Sequence, residues 1–347
     1  MNNNNNKGEI MNNLKKLGVS ALAGSLAAVS AHAVEVTVTG SAQATYVSAT
    51  GDQGYGQQHG KGYAADTSID FNASGELENG WTVSSFNGLS EDGTISSAQL
   101  TVGMGSLGTF RISDKYGNAS GGIDDTVTGL VYEEAWDGTG HSAKGQTFGT
   151  STSSGSITYT SPALDLGGVS MTLALDYDPS ADVSEGGHGA ATTKSAGLGS
   201  GEAVVLTGSM GGLSFGLGSE TINSTNTVAD RNNATGYVKY AMGPITIGYQ
   251  EHEVSISEAA DAPSYNSEYM GIAFAVNDQL SIGYAEVDET KNAISDSTAV
   301  SADIETLTIA YSMGGMTMTI NQASSGNADF VANADHDETE IGVSFAF

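Results

Sequence analysis

Leu107-Gly-Thr-Phe-Arg-Ile-Ser113 and Ser154-Gly-Ser-Ile-Thr-Tyr-Thr160 are two short alternating segments, and the long interval Asp114–Ser153 separates them. Alternation of apolar and polar residues marks a strand with one apolar face. The interval is far too long for a hairpin turn, and structureless stretches of such length in compact domains are usually functional or disordered. It is rich in Gly, Ser and Thr, yet it carries Asp114, Asp124, Asp125, Glu133, Glu134 and Asp137 with the aromatics Tyr116, Tyr132 and Trp136. The expectation is an all-β chain forming a transmembrane antiparallel barrel, with the acidic loop 114–153 folded into its bore.

The same period of two runs through the rest of the chain. Val34, Val36 and Val38 alternate with Glu35, Thr37 and Thr39, and later sets include Met171-Leu173-Leu175-Tyr177, Ile245-Ile247-Tyr249, Leu307-Ile309-Tyr311-Met313 and Ile341-Val343-Phe345-Phe347. The sets predict about sixteen strands, an even number as outer-membrane barrels have. Connections alternate as well. Glu78–Gly80, Gly105–Leu107, Gly211-Gly212, Gly243-Pro244, Asn277-Asp278 and Gly314-Gly315 are short. Thr50–Gly62, Asp114–Ser153, Pro179–Gly201, Asn223–Asn232, Ser255–Ser264, Lys291–Ser301 and Ser325–Asp337 are long and polar. Short turns on one rim and long loops on the other are the barrel pattern. Pro162, Pro179, Pro244 and Pro263 all fall in expected connections, where a missing N–H leaves the ladder intact. Trp81, Phe110, Phe215, Tyr240, Phe274, Tyr311 and Phe347 share the apolar parity beside short connections or the chain end, as an interfacial girdle would.

Residues 1–33 read as a signal peptide: Lys15 and Lys16, an apolar run from Leu17 to Val29, then Ala31-His32-Ala33, with Met11 as the start that fits this pattern. That leaves 34–347 as the barrel. Removing Lys7, Lys15, Lys16 and Glu9 leaves 11 − 3 = 8 basic and 40 − 1 = 39 acidic residues, a charge of −31. So acidic a chain is not suited to nucleic acid. The absence of cysteine excludes disulfides and thiolate metal sites.

At Gly105-Ser-Leu-Gly-Thr-Phe-Arg-Ile-Ser113 the chain resembles the general porins of Gram-negative outer membranes. Ile157-Thr-Tyr-Thr-Ser-Pro162 with Gly167-Gly168 resembles the strand and turn that follow the family's long third loop, and terminal Phe347 resembles its outer-membrane assembly signal. The resemblance implies a homotrimer of water-filled channels for ions and small hydrophilic solutes. It implies contact with the lipid bilayer, lipopolysaccharide and the outer-membrane assembly machinery. The loop acids at the constriction would be Asp114, Asp124, Asp125, Glu133, Glu134 and Asp137. The family's facing arginine cluster is thin here, with only Arg111 and Lys239 on the lumen parity. Cation preference follows from that balance.

Other chemistry is weaker. Gly103–Gly108 fits G-x-G-x-x-G but leads into a strand rather than a helix, and Gly212–Gly216 fits G-x-S-x-G inside a strand. No catalytic constellation is expected, and no cofactor beyond weakly bound calcium at acidic loops, for which Asp335, Asp337 and Glu338 supply oxygens. Two further readings stay open: a secreted acidic β-rich adhesin or calcium-binding structural protein, and a sugar-specific barrel stacking on Tyr116, Tyr132 and Trp136.

Overall fold

A computed structural model describes residues 35–51, 60–90, 93–114, 118–128, 130, 141, 148, 155–179, 198–224, 230–256, 263–292 and 300–347. The expected signal peptide lies outside them. The strand segments in chain order are β1 (Glu35–Gly51), β2 (Gly60–Glu76), β3 (Thr82–Leu89), β4 (Ile95–Gly103), β5 (Thr109–Asp114), β6 (Ser156–Thr160), β7 (Leu164–Leu166), β8 (Val169–Asp178) and β9 (Leu198–Met210). They continue as β10 (Leu213–Ser224), β11 (Arg231–Met242), β12 (Ile245–Ile256), β13 (Ser264–Ala275), β14 (Leu280–Asn292), β15 (Ala302–Met313), β16 (Met316–Gly326) and β17 (His336–Ala346). All belong to one sheet, pairing is antiparallel throughout, and β1 pairs with both β2 and β17. The sheet is a closed barrel with no free edge. Both β6 and β7 pair with β8, so the 17 segments occupy 17 − 1 = 16 barrel positions.

Pro162 makes that division. It was expected in a connection, yet it sits within one barrel strand, between β6 and β7. The ladder is mended locally: Ser161 N–H donates to the Leu173 carbonyl at 2.8 Å, and the Ser161 hydroxyl accepts the Leu173 N–H at 3.0 Å. Several other boundaries differ from expectation, because strands run on into expected connections: Thr50 and Gly51 belong to β1, Leu198–Gly201 to β9, and His336 and Asp337 to β17. Gly60–Gly62 belong to β2, because pairing with Val47–Ala49 outweighs the poor strand propensity of glycine. The connection between β3 and β4, Ser90–Thr94, is short although it lies on the long-loop rim. At its ends Ser90 N–H reaches the Thr94 carbonyl at 3.0 Å, and Gly93 N–H reaches the Ser90 carbonyl at 2.9 Å.

One parity carries the large apolar side chains, among them Val38, Phe71, Leu173, Ile272, Ile309 and Ile320, and these remain exposed. It is the outward, membrane-facing parity. Tyr240 and Phe274 lie on it beside the short turns, as the girdle required. The opposite parity faces the lumen and is mostly small or polar, with apolar side chains such as Val205, Tyr269, Val287 and Ile304 gathered in buried clusters. At the closure, Gly40 and Phe347 exchange backbone hydrogen bonds of 2.7 and 3.0 Å, and a side chain at Gly40 would strike the Phe347 ring at 2.6 Å. The terminal aromatic thereby completes the seam.

Candidate functional site

The described residues of the long interval touch the inward faces of β8 through β15. Asp176 on β8 holds their start: its carboxylate accepts the Ala119 and Ser120 N–H groups at 3.2 and 2.7 Å and the Thr158 hydroxyl at 2.6 Å. Ile123 and Phe148 pack with Ala174 of β8 and Val205 of β9. Gln250 on β12 then catches the chain, donating to the carbonyls of Ile123 and Asp124 at 2.8 and 3.0 Å and accepting the Thr126 hydroxyl at 3.0 Å. Val127 enters a buried cluster with Tyr269, Ala285, Val287 and Ile304. Farther on, buried His141 meets Glu289 of β14 and the backbone of Asp329.

Inward glycines make room for this seat. A Cβ at Gly218 would overlap the Phe148 ring and lie 2.8 Å from Ile123 Cδ1. One at Gly248 would lie 2.9 Å from Val127, and one at Gly271 would lie 2.5 Å from the Val127 carbonyl oxygen. Glycine inside a strand weakens it unless another backbone must approach closely, and here one does. These glycines were legible as mid-strand glycines of inward parity, a signal the motif reading passed over.

Of the expected loop acids, Glu133, Glu134 and Asp137 lie outside the described residues, as do Tyr116, Tyr132 and Trp136. Asp114 ends β5, and its side chain is likewise outside the description. Asp124 and Asp125 are adjacent and half-buried. Burial, then the charge and hydrogen bond of Asp125, push the Asp124 carboxyl up to about 8. Lys239 is on the inward face of β11, within electrostatic reach of Asp125, with Nζ 5.4 Å from the Tyr237 ring centroid. Arg111 is inward on β5, within reach of Asp176. Two further cations share the inward parity: Arg231 opens β11, and Lys291, expected in a connection, is inside β14.

The wall away from this seat is different. Asp66 and Asp70 on β2, and Glu338 and Glu340 on β17, have inward parity and flank β1, where Asp66 faces Gln43, Glu338 faces Ala49 and Glu340 faces Val47. Among the described residues, the inward positions of β1, β2, β3, β15, β16 and β17 carry no Lys or Arg. Sequence reading did not assign Asp66, Asp70 and Glu340 to the water path. It named Glu338 only as a calcium ligand, beside Asp337 and Asp335. Asp337 and Glu338 are successive residues of β17, so their side chains leave opposite faces of the sheet. Among the described residues no group of three or more acidic or histidine side chains is placed to hold a metal.

A strand-built barrel with a polar interior and a loop seated on its inner wall is a pore, and the sequence profile of Gram-negative porins matches residues 18–305. The chain belongs to the Gram-negative porin family. No curated protein sequence matches it significantly. Among solved structures, this porin is similar to Salmonella typhi OmpF in complex with daunomycin (11% identity, 90% of this chain and 97% of that one, TM-score 0.66). It is similar to the anion-selective porin of Comamonas acidovorans (14% identity, 90% and 100%, TM-score 0.64). The trimer form of Vibrio cholerae OmpT is a third (10% identity, 91% and 100%, TM-score 0.63). At such identities the likeness is one of fold. Membership of the family makes the chain an outer-membrane channel.

Proposed function

We propose that this porin passes ions and small hydrophilic solutes and favours cations. The observation that supports it is the carboxylate arc Asp66, Asp70, Glu338 and Glu340, on wall strands whose inward positions lack Lys and Arg. Fixed carboxylates beside a narrow aqueous path concentrate cations and repel anions. The loop 114–153 narrows that path from the opposite wall, and Glu133, Glu134 and Asp137 add to its negative charge. An anion-selective relative has the same fold, so selectivity resides in side chains rather than in the barrel.

The working form is a homotrimer exported by cleavage of residues 1–33 and embedded in bilayer and lipopolysaccharide. The outward face of β2–β4 supports the trimer: Ala73, Ser85, Asn87 and Ala98 stand where other strands present Ile, Phe or Met. Such small and polar residues suit protein contact better than lipid. The test is the reversal potential of purified protein in a planar bilayer across a KCl gradient. Cation preference should fade with salt, since the Debye length falls from about 10 Å at 0.1 M to about 3 Å at 1 M. Anion preference would refute the proposed selectivity.

A further inference from the structure

The outward face carries a hollow of about 600 Å³ on β10–β13, towards the long-loop rim. Cross-strand register explains it. Leu217, Gly236, Glu251 and Glu268 form one row across these strands, and Ala234, Glu253 and Asn266 belong to the next. Gly236 and Ala234 leave a floor without large side chains, bounded by Leu217, Val238 and Tyr249. The volume is in the range of ligand sites, about 300–1,000 Å³.

The rim is acidic. Glu251, Glu253 and Glu268 border the hollow, and the Tyr249 hydroxyl donates to the Glu251 carboxylate. Glu251 lies directly opposite Glu268, Glu268 opposite Asp288, and Asp288 opposite Asp303. Like charges directly opposite destabilise a sheet, so this row calls for positive charge from outside it.

We propose that the hollow holds the acyl chain of a lipid whose headgroup ends in an ammonium group, with the ammonium among Glu251, Glu253 and Glu268. The chain covers Gly236 and Ala234 between Leu217 and Tyr249, on a face already turned to the membrane. The ammonium supplies three donors to carboxylates that can only accept. A phosphate or sulfate head would instead set like charge against the rim. A second copy of this chain is a poorer match, because among the described residues only Lys61 is basic on the outward parity.

Native mass spectrometry of the purified barrel, released from a neutral detergent, tests this with dodecylamine and dodecyl sulfate. Dodecylamine should bind about tenfold more tightly, the worth of one charge-assisted hydrogen bond. Glu251→Gln with Glu268→Gln should erase that preference. Gly236→Leu, which fills the floor, should remove dodecylamine binding. Heat-modifiable gel mobility confirms that each variant folds. Equal binding of the two amphiphiles by the unaltered protein overturns the proposal. So does dodecylamine binding that survives Gly236→Leu, or a change of oligomeric mass in that variant with dodecylamine binding intact.

Discussion

His141 Nε2 lies 3.0 Å from Glu289 Oε2, and both side chains are fully buried. The ring's other nitrogen, Nδ1, accepts the Asp329 N–H at 2.9 Å, so the proton of neutral His141 sits on Nε2 and points at the carboxylate. Phe330 closes the site edge-on, its centroid 5.4 Å from the imidazole. One residue of the long loop thereby joins β14 to the connection between β16 and β17. His141→Ala should destabilise the barrel by about 2–3 kcal/mol, because it takes a hydrogen-bond donor from a buried carboxylate. Urea unfolding followed by gel mobility measures it, and an unchanged midpoint would show that the contact carries no stability.

Gly271→Ala should unseat the loop. The new Cβ would meet the Val127 carbonyl at 2.5 Å, and backbone cannot step aside as a side chain can. Overpacking of this kind costs about 1–3 kcal/mol. Single-channel conductance should fall as residues 118–128 are pushed off the wall into the water path. Wild-type conductance would mean that the path does not depend on this seat.

Gln250→Ala removes the amide that binds the Ile123 and Asp124 carbonyls and the Thr126 hydroxyl. At about 1 kcal/mol for each hydrogen bond, roughly 2–3 kcal/mol of anchoring is lost. Limited proteolysis between residues 114 and 153 should accelerate in the variant while the strands stay protected.

Asp124 gives the loop a pH dependence of known sign. Its carboxyl is pushed up to about 8 by burial and by Asp125. The folded protein therefore keeps a proton that the unfolded chain releases near the usual Asp value of about 3.9. Stability contributed by this group is greatest at low pH and is lost as pH rises from that value through about 8. Current noise in planar bilayers should increase from pH 6 to pH 9, and Asp124→Asn should flatten the profile. An identical rise in the variant would assign the effect elsewhere.

Parity was the legible part of this chain. Ile245-Ile247-Tyr249 and its counterparts mark the outward face because lipid demands apolar side chains at every second position. Register was not legible, and the candidate site depends on it. Asp66 and Asp70 read as ordinary polar residues until β1 is paired with β2 and β17, which sets them along one wall with Glu338 and Glu340. The glycine seat needed three-dimensional proximity of a segment distant in sequence. The short span of Ser90–Thr94 departs from the alternation of short and long connections, and Pro162 is held inside a strand because a serine side chain repairs the ladder around it.

The reversal potential across a KCl gradient, compared between the unaltered porin and the variant Asp66→Asn, Asp70→Asn, Glu338→Gln, Glu340→Gln, tests the central claim most directly. Cation preference in the unaltered channel that collapses towards zero in the variant, at unchanged conductance in 1 M salt, is the expected result. Full cation preference retained by the variant would contradict the claim and place the filter on the loop.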